Sequence, residues 1–201
     1  IMGLLEPPGH ITGGSIMLNG RRIDGDAAAV RGREVGMIFQ DPLTSLNPLR
    51  TVGDQLVETI QLHLGLTGEA AAARAAQLLD EVGIDRSRIG AYPHEFSGGM
   101  RQRIVIALAL APEPKLIIAD EPTTALDVSI QAQVLALLRR LCKERGAAVI
   151  LITHDMGVIA ETTDRVAVLY AGRLVETGVT KEVIAAPRHP YTKGLIDCVP
   201  H

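Results

Sequence analysis

Tryptophan is absent from this 201-residue chain, and two phenylalanines and three tyrosines are its only other large aromatics. With hydrophobic residues at 47%, the core has to be aliphatic, built from Ile, Leu, Val and Ala. Cysteine is scarce: Cys142 and Cys198 make no metal-binding spacing, and such sparse use suits a reducing compartment. Cys142 lies in a helical pattern and is expected to be inert. Long apolar runs are missing too. The longest, IVIALALA, has eight residues, far short of a bilayer-spanning helix. The formal charge of −3 offers no basic excess, which argues against general nucleic-acid binding. The opening IMGLLEPPGH has no basic flank and meets Pro-Pro-Gly at once, so it does not read as a signal peptide. It reads as the end of a helix, and the natural N-terminus is expected upstream. Nor does any lysine-bearing G-x-x-x-x-G-K-[ST] phosphate loop occur in the chain.

Against that last absence stands EFSGGMRQRIVIALALA (95–111). Ser97 suits a helix N-cap, because its hydroxyl can accept from an early helical N–H. Arg101 and Arg103 follow in the first turns, where the helix end already carries partial positive charge. Cations there are disfavoured unless an anion answers them. The stretch therefore looks like half of a phosphate site.

The remaining pattern alternates buried strands with helices. GGSIMLNGRRI predicts a hairpin turning at Asn19-Gly20, and EVGMIFQ (34–40) a short apolar strand ended by Asp41-Pro42. Residues 52–64, 69–82, 100–111 and 128–145 have helical spacing. KLIIADEP (115–122) and AAVILITHD (147–155) are continuous apolar runs, expected to be strands covered on both faces. RVAVLYAGRLVETG (165–178) predicts a hairpin turning near Ala171-Gly172. The tail EVIAAPRHPYTKGLI starts as a helix and breaks at Pro187 and Pro190. The whole predicts an α/β sheet with residues about 41–95 as a helical insertion.

Ligands of open α/β sheets bind at the carboxyl ends of strands. Three apolar strands end in polar groups: Gln40, Asp120-Glu121 and His154-Asp155. Were those strands neighbours, an amide, two carboxylates and an imidazole would gather at one edge. That set suits nucleotide hydrolysis, with a strand-end aspartate for Mg²⁺, a glutamate to polarise water, and Gln and His to orient it. Taken singly, each element has a plain structural reading; their joint order along one chain is what carries the signal.

That order resembles the nucleotide-binding subunit of ABC transporters, over practically the whole chain. Gln40 is similar to the Q-loop, and Ser97-Gly98-Gly99-Met100-Arg101-Gln102 to the signature loop that meets the ATP of a partner subunit. Leu116–Asp120 is similar to the Walker B strand, Glu121 to the glutamate that acts on water, Ala125-Leu126-Asp127 to the D-loop, and His154 to the switch histidine. The resemblance implies a P-loop NTPase-like α/β core with a mostly parallel sheet, an inserted helical subdomain at about 41–95 and a small antiparallel β portion. It implies ATP and Mg²⁺ as cofactors, with Asp120 and Gln40 at the metal and Glu121, His154 and Gln40 in catalysis. QDPLTSLNP, YPHEFSGGMRQR, DEPTTALDV and RHPYTKGLI together resemble the peptide-importer group, with 187–201 as the start of its C-terminal extension. Nickel and glutathione importers are close relatives of that group.

The resemblance further implies head-to-tail pairing with a second cassette, identical or related. Two transmembrane permease subunits and, indirectly, an extracytoplasmic solute-binding protein complete the implied assembly, on the cytoplasmic face of the membrane and without nucleic acid. Ribosomal or DNA-associated ABC ATPases are the rival class, but the short 41–95 insertion suits a transporter better. A regulatory module without turnover is a second rival, which Glu121 and His154 argue against. The phosphate loop is expected upstream of Ile1, and without it the chain is expected to bind ATP weakly.

Overall fold

A computed structural model describes residues 1–124 and 126–198. The Ala125 part of the expected D-loop and residues 199–201 of the expected extension lie outside the described residues. The chain divides into two compact units, Ile1–Ile150 and one that starts at Leu151.

The first unit opens with the hairpin of β1 (Met17–Leu18) and β2 (Arg21–Arg22), antiparallel with Met17 opposite Arg22. Asn19 and Gly20 both have positive φ, 48° and 77°, as a two-residue primed turn requires. After a short helix α1 (Ala27–Val30) comes β3 (Val35–Ile38), buried except for the half-buried Met37. Every regular element between 41 and 95 is helical among the described residues: α2 (Pro42–Ser45), α3 (Val52–Leu64), α4 (Gly68–Glu81) and two 3₁₀ turns at 86–90 and 93–95. Thr51 caps α3 by accepting from the Asp54 N–H, and Gly65 ends it at φ 68°, a left-handed position that glycine takes without strain.

The α5 helix (Gly98–Leu110) leads to β4 (Leu116–Asp120), then α6 (Val128–Glu144) and β5 (Ala148–Ile152). The sheet order is β3-β4-β5, with β3 and β4 parallel and Val35 opposite Leu116. The Ala148 N–H donates to the Lys115 carbonyl as β5 enters the sheet (2.9 Å). Ile23, Val30, Val35, Leu116 and Ile118 form one buried aliphatic cluster on this sheet.

One expectation is corrected here. The β5 strand is not covered on both faces: Val149, Ile150 and Ile152 are 37%, 41% and 46% exposed. Among the described residues β5 stands at the end of the strand order, paired with β4. Gly98 and Gly99 are the first residues of α5, as the expected Ser97 cap implies: the Ser97 hydroxyl sets the helix start by accepting from the Met100 N–H.

In the second unit, α7 (Met156–Thr162) precedes an antiparallel pair, β6 (Arg165–Tyr170) and β7 (Arg173–Val179), that turns at Ala171-Gly172. Then follow α8 (Thr180–Ala185) and α9 (Pro190–Asp197). Val166, Val168 and Val183 make its small core, with Tyr191 and Leu195 of α9 packed against it. Pro190 opens α9 rather than breaking a helix. Proline fits the first helical position, where its missing N–H would have no partner anyway. The Glu176 carboxylate accepts the backbone N–H groups of Arg188 and His189 (2.8 and 3.0 Å), which fixes that entry.

Candidate functional site

The end of β4 and the segment after β3 bring two expected site residues together. Gln40 Nε2 donates to Glu121 Oε2 at 3.1 Å. Thr124 Oγ1 donates to the same oxygen at 3.0 Å, and its backbone N–H closes a tight turn onto the Glu121 carbonyl (3.2 Å). Glu121 sits at φ 44°, a left-handed conformation that a glutamate adopts only when its surroundings hold it there. Two donors on one carboxylate oxygen fix the plane of the group and so the direction of the other oxygen. A carboxylate aimed in this way suits a general base at a strand end.

Thr124 joins the expected site residues only in the folded structure. Its place three residues after Glu121 was the available signal, since a hydroxyl at that offset can reach back across a turn. Asp120 is the last residue of β4 and half-buried beside this turn.

The second cluster is the Ser97 turn. The approach to it is built by Arg88, whose Nη2 donates to the Glu95 carbonyl (2.9 Å) and whose guanidinium lies 4.3 Å from the centre of the Phe96 ring. The Glu95 carboxylate accepts from the Tyr92 N–H (2.6 Å) and Pro93 is buried, so YPHEF is a rigid lead-in. A Cβ on Gly99 would come within 2.6 Å of Ile130 Cγ2 on α6; only glycine fits this approach. A Cβ on Gly98 would stand 3.5 Å from Leu126 Cδ2, an ordinary contact. Ser97 and Gly98 are exposed, and Gly99 and Met100 are half-buried.

The arginines are answered differently from the expectation that an outside anion meets them. Arg101 Nε donates to the Pro93 carbonyl (3.0 Å), and Arg103 donates to the Val82 carbonyl (3.0 Å) and to Gln133 Oε1 of α6 (3.2 Å). Carbonyl oxygens of the same chain thus take up donors of both guanidiniums. Gln102, also among the expected signature residues, is 1% exposed and enclosed within the helix packing. What remains presented outward by this turn is Ser97, Gly98 and the helix end itself.

Asp127 occupies the N-cap position of α6 and is exposed; its side chain makes no capping bond. In the second unit His154 is exposed, between β5 and α7. The next residue, Asp155, fixes that turn by accepting from the Gly157 and Val158 N–H groups (2.8 and 3.2 Å). Burial pushes the Cys142 thiol up to about 11, as its expected inertness requires. Among the described residues no group of three or more His, Cys, Asp or Glu is arranged to hold a metal ion, and no helix is long and apolar enough to cross a membrane.

Comparison with known proteins gives the family of the chain. A family model described as ABC transporter matches residues 1–124, and one described as oligopeptide/dipeptide transporter, C-terminal region, matches 175–201. The chain is 54% identical to the oligopeptide transport ATP-binding protein OppD of Bacillus subtilis (strain 168), a match over all of this chain and 58% of that protein. It is 50% identical to the dipeptide transport ATP-binding protein DppD of the same organism, again over the whole chain and 62% of that protein. The chain thus spans about three-fifths of the length of these curated relatives. Among solved structures it is similar to cbiO1 from Clostridium perfringens, described as part of the ABC transporter complex cbiONQ (TM-score 0.78, 30% identity, 91% of this chain and 71% of that one). It is also similar to the ATP-binding cassette MJ0796, solved as a dimer in a post-hydrolysis state with ADP and Pi (TM-score 0.72, 28% identity, 84% of this chain and 74% of that one).

Proposed function

Because this chain belongs to the ABC transporter family, we propose that it carries the water-activating and partner-facing parts of an ATPase subunit that powers import of di- and oligopeptides. The observation that supports this most directly is the Gln40–Glu121 hydrogen bond, which joins two elements 81 residues apart at the end of a buried parallel strand.

In this reading Glu121 accepts a proton from the attacking water while Gln40 and Thr124 hold its carboxylate in line. His154 contacts the departing phosphoryl group. Asp120 and the amide oxygen of Gln40 would hold Mg²⁺, which neutralises charge on the phosphates when bound. A single carboxylate and an amide suit that ion, because Mg²⁺ takes most of its ligands from water and phosphate and needs no dedicated cluster of acidic side chains. Ser97, Gly98 and Gly99 close on a nucleotide held by a second cassette, and Asp127 lies in the loop that the partner meets. Met100, Arg101 and Gln102 act on that contact from within, Arg101 by tying the first turn to Pro93.

Two membrane-spanning permease subunits receive the motion, and a solute-binding protein outside the membrane supplies the peptide. The helical insertion at 41–95 is the relay: a groove of about 220 Å³ beside it is lined by Phe39, Ser45, Thr59 and His63, next to Gln40 in sequence. The segment from 187 on begins an extension like that of the peptide-importer relatives. The subunit would then sit peripherally on the cytoplasmic face of the membrane.

The test is reconstitution of the full-length protein with its two membrane partners in liposomes, measuring ATP hydrolysis with and without oligopeptide and its binding protein. Peptide-stimulated turnover with peptide accumulation supports the reading. Stimulation by nickel or glutathione alone would reassign the solute. Turnover independent of any membrane partner would favour the non-transport class.

A further inference from the structure

Gln102 is the one fully buried polar residue of α5, and neither its amide nitrogen nor its amide oxygen has a hydrogen-bond partner. A glutamine can donate twice and accept twice, and leaving all of that unmet in the interior is costly enough that natural cores seldom keep it. Its neighbours on the helix are fully engaged. Arg101 is tied to Pro93 and Arg103 to Val82 and Gln133, while Gly99 is pressed against Ile130. The turn is therefore anchored on either side of an amide that has nothing to hold.

The helical period says where that amide lies. Gln102 stands four residues after Gly98, so the two share a face one turn apart, and side chains of a helix lean back towards its N-terminus. Gly98 is the residue that faces Leu126. Gln102 thus leans towards the connection between β4 and α6, whose first residue is Glu121 and whose backbone near Leu126 belongs to no helix or strand.

We infer that Gln102 is a positioning residue that couples the Ser97 turn to the Glu121–Asp127 connection. Its amide is unmet in this arrangement and takes up backbone groups beside Leu126 when a nucleotide held by the second cassette closes on the Ser97 turn. The unmet amide raises the free energy of the open arrangement, so closure is easier than it would be over an apolar core. This rests on the ATPase reading above, and its test separates the two.

In the full-length protein, Gln102→Met keeps the length of the side chain and removes every donor and acceptor; Gln102→Leu removes them with a different shape. Thermal unfolding and ATP turnover against ATP concentration are measured for both. The expected result is a divergence. Each variant raises Tm by roughly 2–4 °C, since an unmet amide is gone from the open form. Each also lowers the turnover rate by about tenfold or more and raises the ATP concentration for half-maximal turnover. A merely structural role would move stability and activity in the same direction and leave that concentration unchanged. Turnover equal to wild type in both variants overturns the inference. So does a fall in Tm in both, which would mean that the amide is already satisfied in the open form, for instance by buried water. A wild-type protein without any turnover overturns the ATPase reading itself, and the inference with it.

Discussion

The Glu121 turn and the Ser97 turn both lie in the first unit and both present polar groups at the end of a regular element, yet they are held in opposite ways. At Glu121 the carboxylate is gripped directly: Gln40 and Thr124 donate to it, and the backbone is held in a left-handed conformation. At Ser97 the outward-facing groups are not gripped at all. The turn is fixed from behind, by a glycine against Ile130, by guanidiniums on carbonyl oxygens and by the packed YPHEF lead-in. A base needs its own atoms aimed. A helix end that meets a ligand with backbone N–H groups needs only to be rigid. Substitutions in the two clusters should therefore fail differently, the first in chemistry and the second in stability and assembly.

The largest effect is expected at Glu121. Glu121→Gln keeps the shape and both donated bonds but cannot take a proton. In the full-length protein, turnover should fall by roughly 10²–10⁴-fold while ATP binding persists. Retained hydrolysis would remove Glu121 from the role of base. Gly99→Ala comes next and probes the other cluster. Alanine gains about 1 kcal/mol of helix propensity, but its Cβ would press on Ile130, and such overpacking costs about 1–3 kcal/mol. Tm should drop by several degrees. Gly98→Ala, whose Cβ meets only an ordinary contact, should leave Tm unchanged or slightly higher. Equal effects at the two glycines would show that close approach to α6 does not govern the turn.

Thr124→Val returns to the first cluster with a smaller perturbation. It removes one of two donors on Glu121 Oε2, a loss of about 0.5–1.5 kcal/mol, or roughly two- to twelvefold in turnover, with Tm hardly moved. A fall in stability without loss of turnover would make Thr124 a scaffold residue only. The smallest effect is at the thiols and touches neither cluster. Cys198 is exposed and should react with a thiol reagent in the folded protein, whereas the buried Cys142, raised to about 11, should react only on unfolding. Rapid labelling of Cys142 in the native state would mean that α6 opens locally.

Much of this was legible along the chain, and particular residues show why. Asn19-Gly20 and Ala171-Gly172 announce hairpins because few residue pairs tolerate two positive φ angles in succession. LIIA reads as a fully covered strand because nothing in it tolerates water, and β4 is buried up to the half-buried Asp120. AVILI reads the same way and was misjudged. Apolar composition says that a strand prefers cover, and the elements packed on its faces decide whether it has any; Val149, Ile150 and Ile152 of β5 are partly exposed. Pro190 was misjudged because proline disfavours a helix interior but favours its first position, and only the carboxylate of Glu176 on another strand shows which applies.

The sequence by itself determined the residue types available for chemistry: the strand-end carboxylates, the amide of Gln40, the imidazole of His154 and the capped Gly-Gly helix. Those follow from local pattern, since caps, strand ends and turn residues depend on neighbours a few positions away. Only the tertiary structure decided what each of them touches. It brought Gln40 onto Glu121 across 81 residues, recruited Thr124, turned Arg101 and Arg103 back onto carbonyl oxygens, and buried Gln102 without a partner. Such pairings depend on which elements pack together, and packing energies are summed over contacts that lie far apart in the chain.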